Sequence, residues 1–140
     1  MKTWVHFVFS LALAAVLYPI FNWRALLILL GGVFVDIDHY FWYAYRYKRF
    51  NIFECYKYYI TIHENRGFEK HSGSLLIFHT VEFLLAVVAL SFYSEYALAF
   101  AIGFILHCAM DLTFLYFVPK RFIANHSAIS WVIKNKIQKV

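Results

Sequence analysis

Four apolar runs, each about as long as a bilayer is thick, limit what this chain can fold into more than any other feature. They cover residues 4–21, 25–43, 73–92 and 96–118, and a helix needs about 20 apolar residues to cross a hydrocarbon core of ~30 Å. Composition agrees: 63% of residues are hydrophobic and 15% charged, where soluble domains have about 45–50% and 25%. The expected fold is an all-α integral membrane protein, a single membrane domain over 1–140, with four transmembrane helices. Residues 44–70 hold six cations, Arg46, Lys48, Arg49, Lys57, Arg66 and Lys70, among Tyr and Phe. That mixture predicts an interfacial, partly helical cytoplasmic loop with a break at Arg66-Gly67. In the tail, residues 119–140, Trp131, Val132, Ile133 and Ile137 alternate with Lys134, Lys136 and Lys139, the pattern of an amphipathic helix at a membrane surface. The first run ends in Tyr18-Pro19, with no small-residue cleavage site, and reads as a retained span and not a signal peptide.

Charge orients the spans. All but Arg24 of the 13 Lys and Arg residues fall on the side shared by the termini and the long loop. The positive-inside rule puts that side in the cytoplasm, which predicts a multi-pass plasma (inner) membrane protein with both termini cytoplasmic. A three-span alternative needs the second or third run to be interfacial, and their lengths argue against it. The net charge of +5 then reflects loop bias and attraction to anionic lipid, so the bilayer is the expected partner and nucleic acid is not. Cys55 and Cys108 have neither zinc-finger nor redox spacing, and no disulfide is expected.

Inside the runs, seven residues stand where hydrocarbon is expected: His6, Asp36, Asp38, His79, Glu82, His107 and Asp111. Burying an unpaired carboxylate costs several kcal/mol or more, so each needs a partner or a metal. At about 1.5 Å per residue, Asp36, Asp38, His79, Glu82, His107 and Asp111 lie roughly 7–17 Å from the cytoplasmic face, and His6 is near the cytoplasmic start of the first run. Nothing in hydropathy requires this coincidence of depth. His107 and Asp111 are i, i+4, and His79 and Glu82 are i, i+3, so each pair shares a helix face. Mixed His and carboxylate donors suit Zn²⁺, and also Mn²⁺ or Fe²⁺. Asp36 and Asp38 are i, i+2, about 200° apart on a regular helix, so one binds a metal while the other supports a ligand, or the helix breaks after Gly31-Gly32. Glu82 or the spare aspartate, Asp38, is the expected general base. Arg66, Lys70 and His71 stand at the expected rim, where they can meet an anionic substrate.

These blocks resemble the YdjM-like family of LexA-regulated, membrane-bound, metal-dependent hydrolases. His6 matches an early histidine. The stretch from Gly32 through Asp36-Ile37-Asp38-His39 resembles a Gly-x-x-x-Pro-Asp-x-Asp block, with Val35 in place of the proline. Gly103 through His107 to Asp111 resembles a closing Gly-x3-His-x3-Asp block. The family's central histidine corresponds to His71-Ser72 or to His79-Thr80, and depth favours His79. A more distant likeness is to zinc phospholipase C and related all-helical nucleases. The resemblance implies a divalent-metal hydrolase acting on phosphoester or lipid substrates. Alternatives from the same residues are a non-enzymatic metal-ion or proton transporter and a structural membrane subunit. Oligomeric state stays open.

Overall fold

Asn22 sets the topology of the first half. The chain from Thr3 to Tyr47 is helical throughout, but at Asn22 the backbone takes φ 51° and ψ −137° and turns back on itself. Asparagine is among the few residues with a short polar side chain that tolerate positive φ. Pro19 removes one donor from the preceding turn, which weakens the helix just before the reversal. In the computed structural model, which describes residues 2–65, 75–117 and 126–137, α1 (Thr3–Phe21) and α2 (Ala25–Val33) are joined by one 3₁₀ turn, Asn22–Arg24. They form an antiparallel hairpin, and Thr3 Oγ1 at the start of α1 donates to Asp36 Oδ2 just beyond α2 (3.2 Å).

A second 3₁₀ turn, Phe34–Asp36, leads into α3 (Ile37–Tyr47). Lys48 ends α3 in the left-handed region, φ 55° and ψ 33°, and the Asn51 side chain caps α4 (Ile52–Asn65) by accepting from the Phe53 and Glu54 amides. Tyrosines lay α4 back over α3: Tyr40 Oη donates to the Phe50 carbonyl, Tyr59 Oη to the His39 carbonyl, and the Tyr47 and Tyr58 hydroxyls meet at 2.6 Å. The chain then forms α5 (Val81–Ser91), α6 (Glu95–Phe117) and α7 (Ala128–Ile137). All regular structure among the described residues is helical.

Helix α2 packs between α1 and α6. A Cβ on Gly31 would run into the Phe100 backbone oxygen, one on Gly32 into the Ser10 side chain, and one on Gly103 into the Ile28 backbone oxygen. Small residues that let backbones touch are a standard means of joining helices in a bilayer. Around this contact the core is Ala14, Ala25, Ile28 and Ala99 at one end and Val35, Val87, Ala101 and Phe104 at the other. Outward-facing side chains are hydrocarbon, with Val16 72%, Ile20 69% and Leu26 66% exposed, which suits a lipid surrounding and not water.

Two stretches among the described residues are long and apolar enough to cross a membrane, Thr3–Tyr47 and Glu95–Phe114. The third apolar run differs from expectation. Its helix, α5, has 11 residues, about 16 Å against a ~30 Å core. Thr80 is the cause: it is extended (φ −92°, ψ 151°) and caps α5 by accepting from the Phe83 amide. The preceding Ile77–His79 is a separate 3₁₀ turn. Arg66, Lys70 and His71 and the break expected at Arg66-Gly67 lie outside the described residues.

Candidate metal centre

The site gathers side chains from four places in the chain: His6 on α1, Asp36, Asp38 and His39 at the α2–α3 junction, His79 before α5, and His107 with Asp111 on α6. The junction is what lets both aspartates take part. Asp36 and Ile37 have ψ of −6° and −23°, nearer 3₁₀ than α values, so the two carboxylates are not held on opposite faces as a regular helix would hold them.

Four donor atoms converge. His79 Nε2 and His107 Nε2 are 3.2 Å apart. Asp36 Oδ1 lies 3.7 Å from the first and 3.6 Å from the second. Asp111 Oδ2 lies 3.7 Å and 3.2 Å from the same two atoms. Tetrahedral ligation at about 2.0–2.1 Å requires donors roughly 3.3–3.4 Å apart, which these separations bracket.

Hydrogen bonds behind the donors fix what faces the centre. His107 Nδ1 is 3.0 Å from the Gly32 carbonyl oxygen, an acceptor, so Nδ1 carries a proton, and in the neutral ring Nε2 is a lone pair. His79 Nδ1 is 3.0 Å from Asp38 Oδ2, and the same logic turns the lone pair of its neutral ring, Nε2, to the centre. With both rings neutral, two lone pairs and two carboxylate oxygens point at one another, an arrangement that calls for a metal ion or an added proton among them. His6 adds to the case. Its ring is fully buried and stacks on His107 with centroids 4.1 Å apart. His6 Nε2 is 3.2 Å from Asp111 Oδ1, an ion-pair contact, while Nδ1 is buried without a hydrogen-bond partner among the described residues. A buried polar group left so costs about 1–3 kcal/mol, which ligation removes. The donor set therefore fits a divalent metal, and three overlapping groups can hold one: His6–His107–Asp111, Asp36–His79–His107 and Asp38–His39–His79.

The two aspartates have different partners. Asp36 directs Oδ1 to the centre and takes the Thr3 hydroxyl on Oδ2. Asp38, expected at the metal or as a proton acceptor, spends both oxygens elsewhere: Oδ1 accepts from His39 Nδ1 at 2.9 Å, and Oδ2 from His79 Nδ1 and the Phe78 amide, each at 3.0 Å. It orients two imidazoles at once, as outer carboxylates do for metal-ligating histidines. His39 is not among the seven polar residues singled out in the apolar runs. Its neighbour Asp38 was the available signal, since a carboxylate one residue away can hold an imidazole by Nδ1 and leave Nε2 for proton exchange.

Glu82 has other partners. The expected shared face with His79 assumed one helix through both, and Thr80 interrupts it. The Glu82 carboxylate instead accepts from Ser127 Oγ (2.6 Å) and from the Ala128 (3.1 Å) and Ile129 (3.3 Å) amides. It holds the start of α7, where the unpaired amides of a helix N-terminus favour an anion.

A cleft of about 570 Å³ reaches the centre between the start of α1, the α2–α3 junction and α4. Asp36, His39 and Asp111 line it together with Val33, Phe34, Ile37, Ile52, Tyr56 and Ile60.

Fold and site together define an all-helical membrane protein with a buried histidine–carboxylate cluster able to hold a metal ion. A family model described as the YdjM inner membrane protein matches residues 1–120. The chain belongs to that family. Neither a curated protein nor a solved structure matches it.

Proposed function

We propose that this protein is a membrane-bound, divalent-metal-dependent hydrolase of ester or phosphoester bonds, working at the cytoplasmic side of the inner membrane. The observation that carries the reading is the convergence of His79 Nε2, His107 Nε2, Asp36 Oδ1 and Asp111 Oδ2, with both remaining ring nitrogens already engaged by Asp38 and Gly32. Nitrogen and oxygen donors in this mixture favour Zn²⁺, with Mn²⁺ or Fe²⁺ as substitutes. Such an ion supplies Lewis acidity to the bond being hydrolysed.

The chain's own residues do the rest. Asp38 keeps His79 and His39 in fixed tautomers, the Gly32 carbonyl does so for His107, and Thr3 anchors the second oxygen of Asp36. His39, which lines the cleft, takes the proton-handling role expected of Glu82. In the reaction the oxygen of water joins phosphorus or the acyl carbon and the ester bond breaks. One water proton goes to the leaving alcohol.

Topology follows from charge: four crossings, both termini cytoplasmic, the third crossing shared between α5 and the irregular segment before it. Irregular backbone is tolerated at depth where it lines a polar site. Arg66, Lys70 and His71 add positive charge to the same side of the sequence. A transport role needs a polar route to the far face, and there the core is Ala14, Ala25, Ile28 and Ala99.

Purified protein is expected to hydrolyse a chromogenic phosphodiester with added Zn²⁺ or Mn²⁺, to stop with a chelator, and to lose turnover on His79→Ala. Turnover indifferent to the chelator, or retained in His79→Ala, contradicts the proposal.

A further inference from the structure

We infer that the cleft between α3 and α4 seats the hydrocarbon chain of a membrane lipid, so that the lipid's anionic headgroup meets the floor formed by Asp36, His39 and Asp111. This rests on the metal-hydrolase reading, because two carboxylates repel an anionic headgroup unless a cation stands between them.

Three observations carry it. First, the walls and the floor differ in chemistry. Val33, Ile37, Ile52 and Ile60 line the walls, while the ionisable groups sit where the cleft meets the metal centre. A water-soluble phosphoester gains nothing from such walls, whereas an acyl chain leaves its surroundings for them at little cost. Second, Phe34 and Ile52 line the cleft and are 56% and 63% exposed, so the cleft is open at these apolar side chains. The cleft is therefore continuous with the hydrocarbon surface of the bundle, and a lipid can enter sideways. Its volume of about 570 Å³ falls inside the ~300–1,000 Å³ usual for ligand sites. Third, the exposed Lys2 also lines the cleft and complements a headgroup's negative charge. The α4 wall belongs to an amphipathic helix whose Ile52, Phe53 and Tyr56 are exposed apolar side chains, as expected of a helix at the level of headgroups.

The test uses the full chain, loaded with Zn²⁺, in phosphatidylglycerol–phosphatidylethanolamine vesicles containing a phospholipid with a diazirine on its acyl chain. Photolabel mapped by mass spectrometry is expected on Ile37, Ile52 and Tyr56, above the level on Val16 and Ile20, which face lipid elsewhere on α1. Ile52→Glu puts a charge on the wall and is expected to lower both this labelling and lipid hydrolysis about tenfold or more. Phe53→Glu, at the next and more exposed position of α4 but outside the cleft lining, is expected to leave both near the parent level. The parent and Phe53→Glu are expected to hydrolyse a soluble chromogenic phosphodiester equally. Even labelling over α1 and the cleft, or equal losses in Ile52→Glu and Phe53→Glu, overturns the lipid assignment while the soluble assay leaves the hydrolase reading standing. Cleft labelling without hydrolysis of either compound overturns the hydrolase reading, and with it the headgroup placement.

Discussion

The two ends of the helical bundle hold together by different means. Where α1 turns into α2 and α5 approaches α6, the core is Ala14, Ala25, Ile28 and Ala99. The polar contribution there is an ion pair between Arg24 and Glu95, with Arg24 also 5.7 Å over the Tyr96 ring. Glu95 is 70% exposed in that pair, and exposed pairs contribute about 0–1 kcal/mol. At the opposite end four histidines and three aspartates meet among the same helices. The helices do not need them in order to associate, because Gly31, Gly32 and Gly103 already bring α2 against α1 and α6. Polar groups inside a bilayer add little to association, about 0.6 kcal/mol per hydrogen bond on average. The difference between the ends teaches that the inner cluster is kept for something other than stability.

The comparison can be broken most directly at the cluster. A His107→Ala, Asp111→Ala double variant is expected to lose its metal, with elemental analysis falling to background while circular dichroism keeps the helical signal. Loss of the helices together with the metal would make the cluster structural and erase the contrast. Asp38→Asn is the next largest effect. It keeps the size of the side chain but weakens its hold on His79 and His39, and metal affinity measured by competition with a chelator is expected to fall roughly 10–100-fold. Gly103→Val sharpens the other half of the comparison. Overpacking where α6 touches Ile28 is expected to cost about 1–3 kcal/mol in reversible unfolding in detergent, with metal affinity falling as His107 moves from Gly32. Glu82→Gln is expected to leave metal content unchanged and to speed proteolytic release of α7, whose start it holds.

The smallest effect lies on α4, where Cys55 is buried against the cleft and burial pushes its thiol from the usual 9.0 up to about 11. The folded state therefore holds the thiol proton more tightly than the unfolded chain does. That contribution to stability is complete below pH 9 and is lost as pH rises through 11. Alkylation of Cys55 by iodoacetamide is expected to be slow at neutral pH and to rise across that window. Fast alkylation at pH 7 contradicts the burial.

Much of this was legible in one dimension. The run lengths and the depth shared by Asp36, Asp38, His79, His107 and Asp111 are linear properties of the chain, and His-x3-Asp works because α6 is regular across both residues. The i, i+2 spacing of Asp36 and Asp38 posed the choice between a metal partner and a supporting carboxylate. What could not be read depends on backbone that departs from a helix or on contacts between distant elements. Thr80 ends the expected face between His79 and Glu82 through one extended residue. The Gly32 carbonyl meets His107 only because three glycines let helices touch, and Glu82 finds its partners 45 or more positions away at the start of α7.

One measurement bears on the central claim before any other: X-ray absorption at the metal edge of protein purified without added metal. The account predicts a bound divalent ion with only nitrogen and oxygen neighbours at about 2.0–2.2 Å, including the multiple-scattering signature of two or more imidazoles. A protein that carries no ion and takes up none of Zn²⁺, Mn²⁺ or Fe²⁺, or one whose ion has sulfur neighbours, would contradict it.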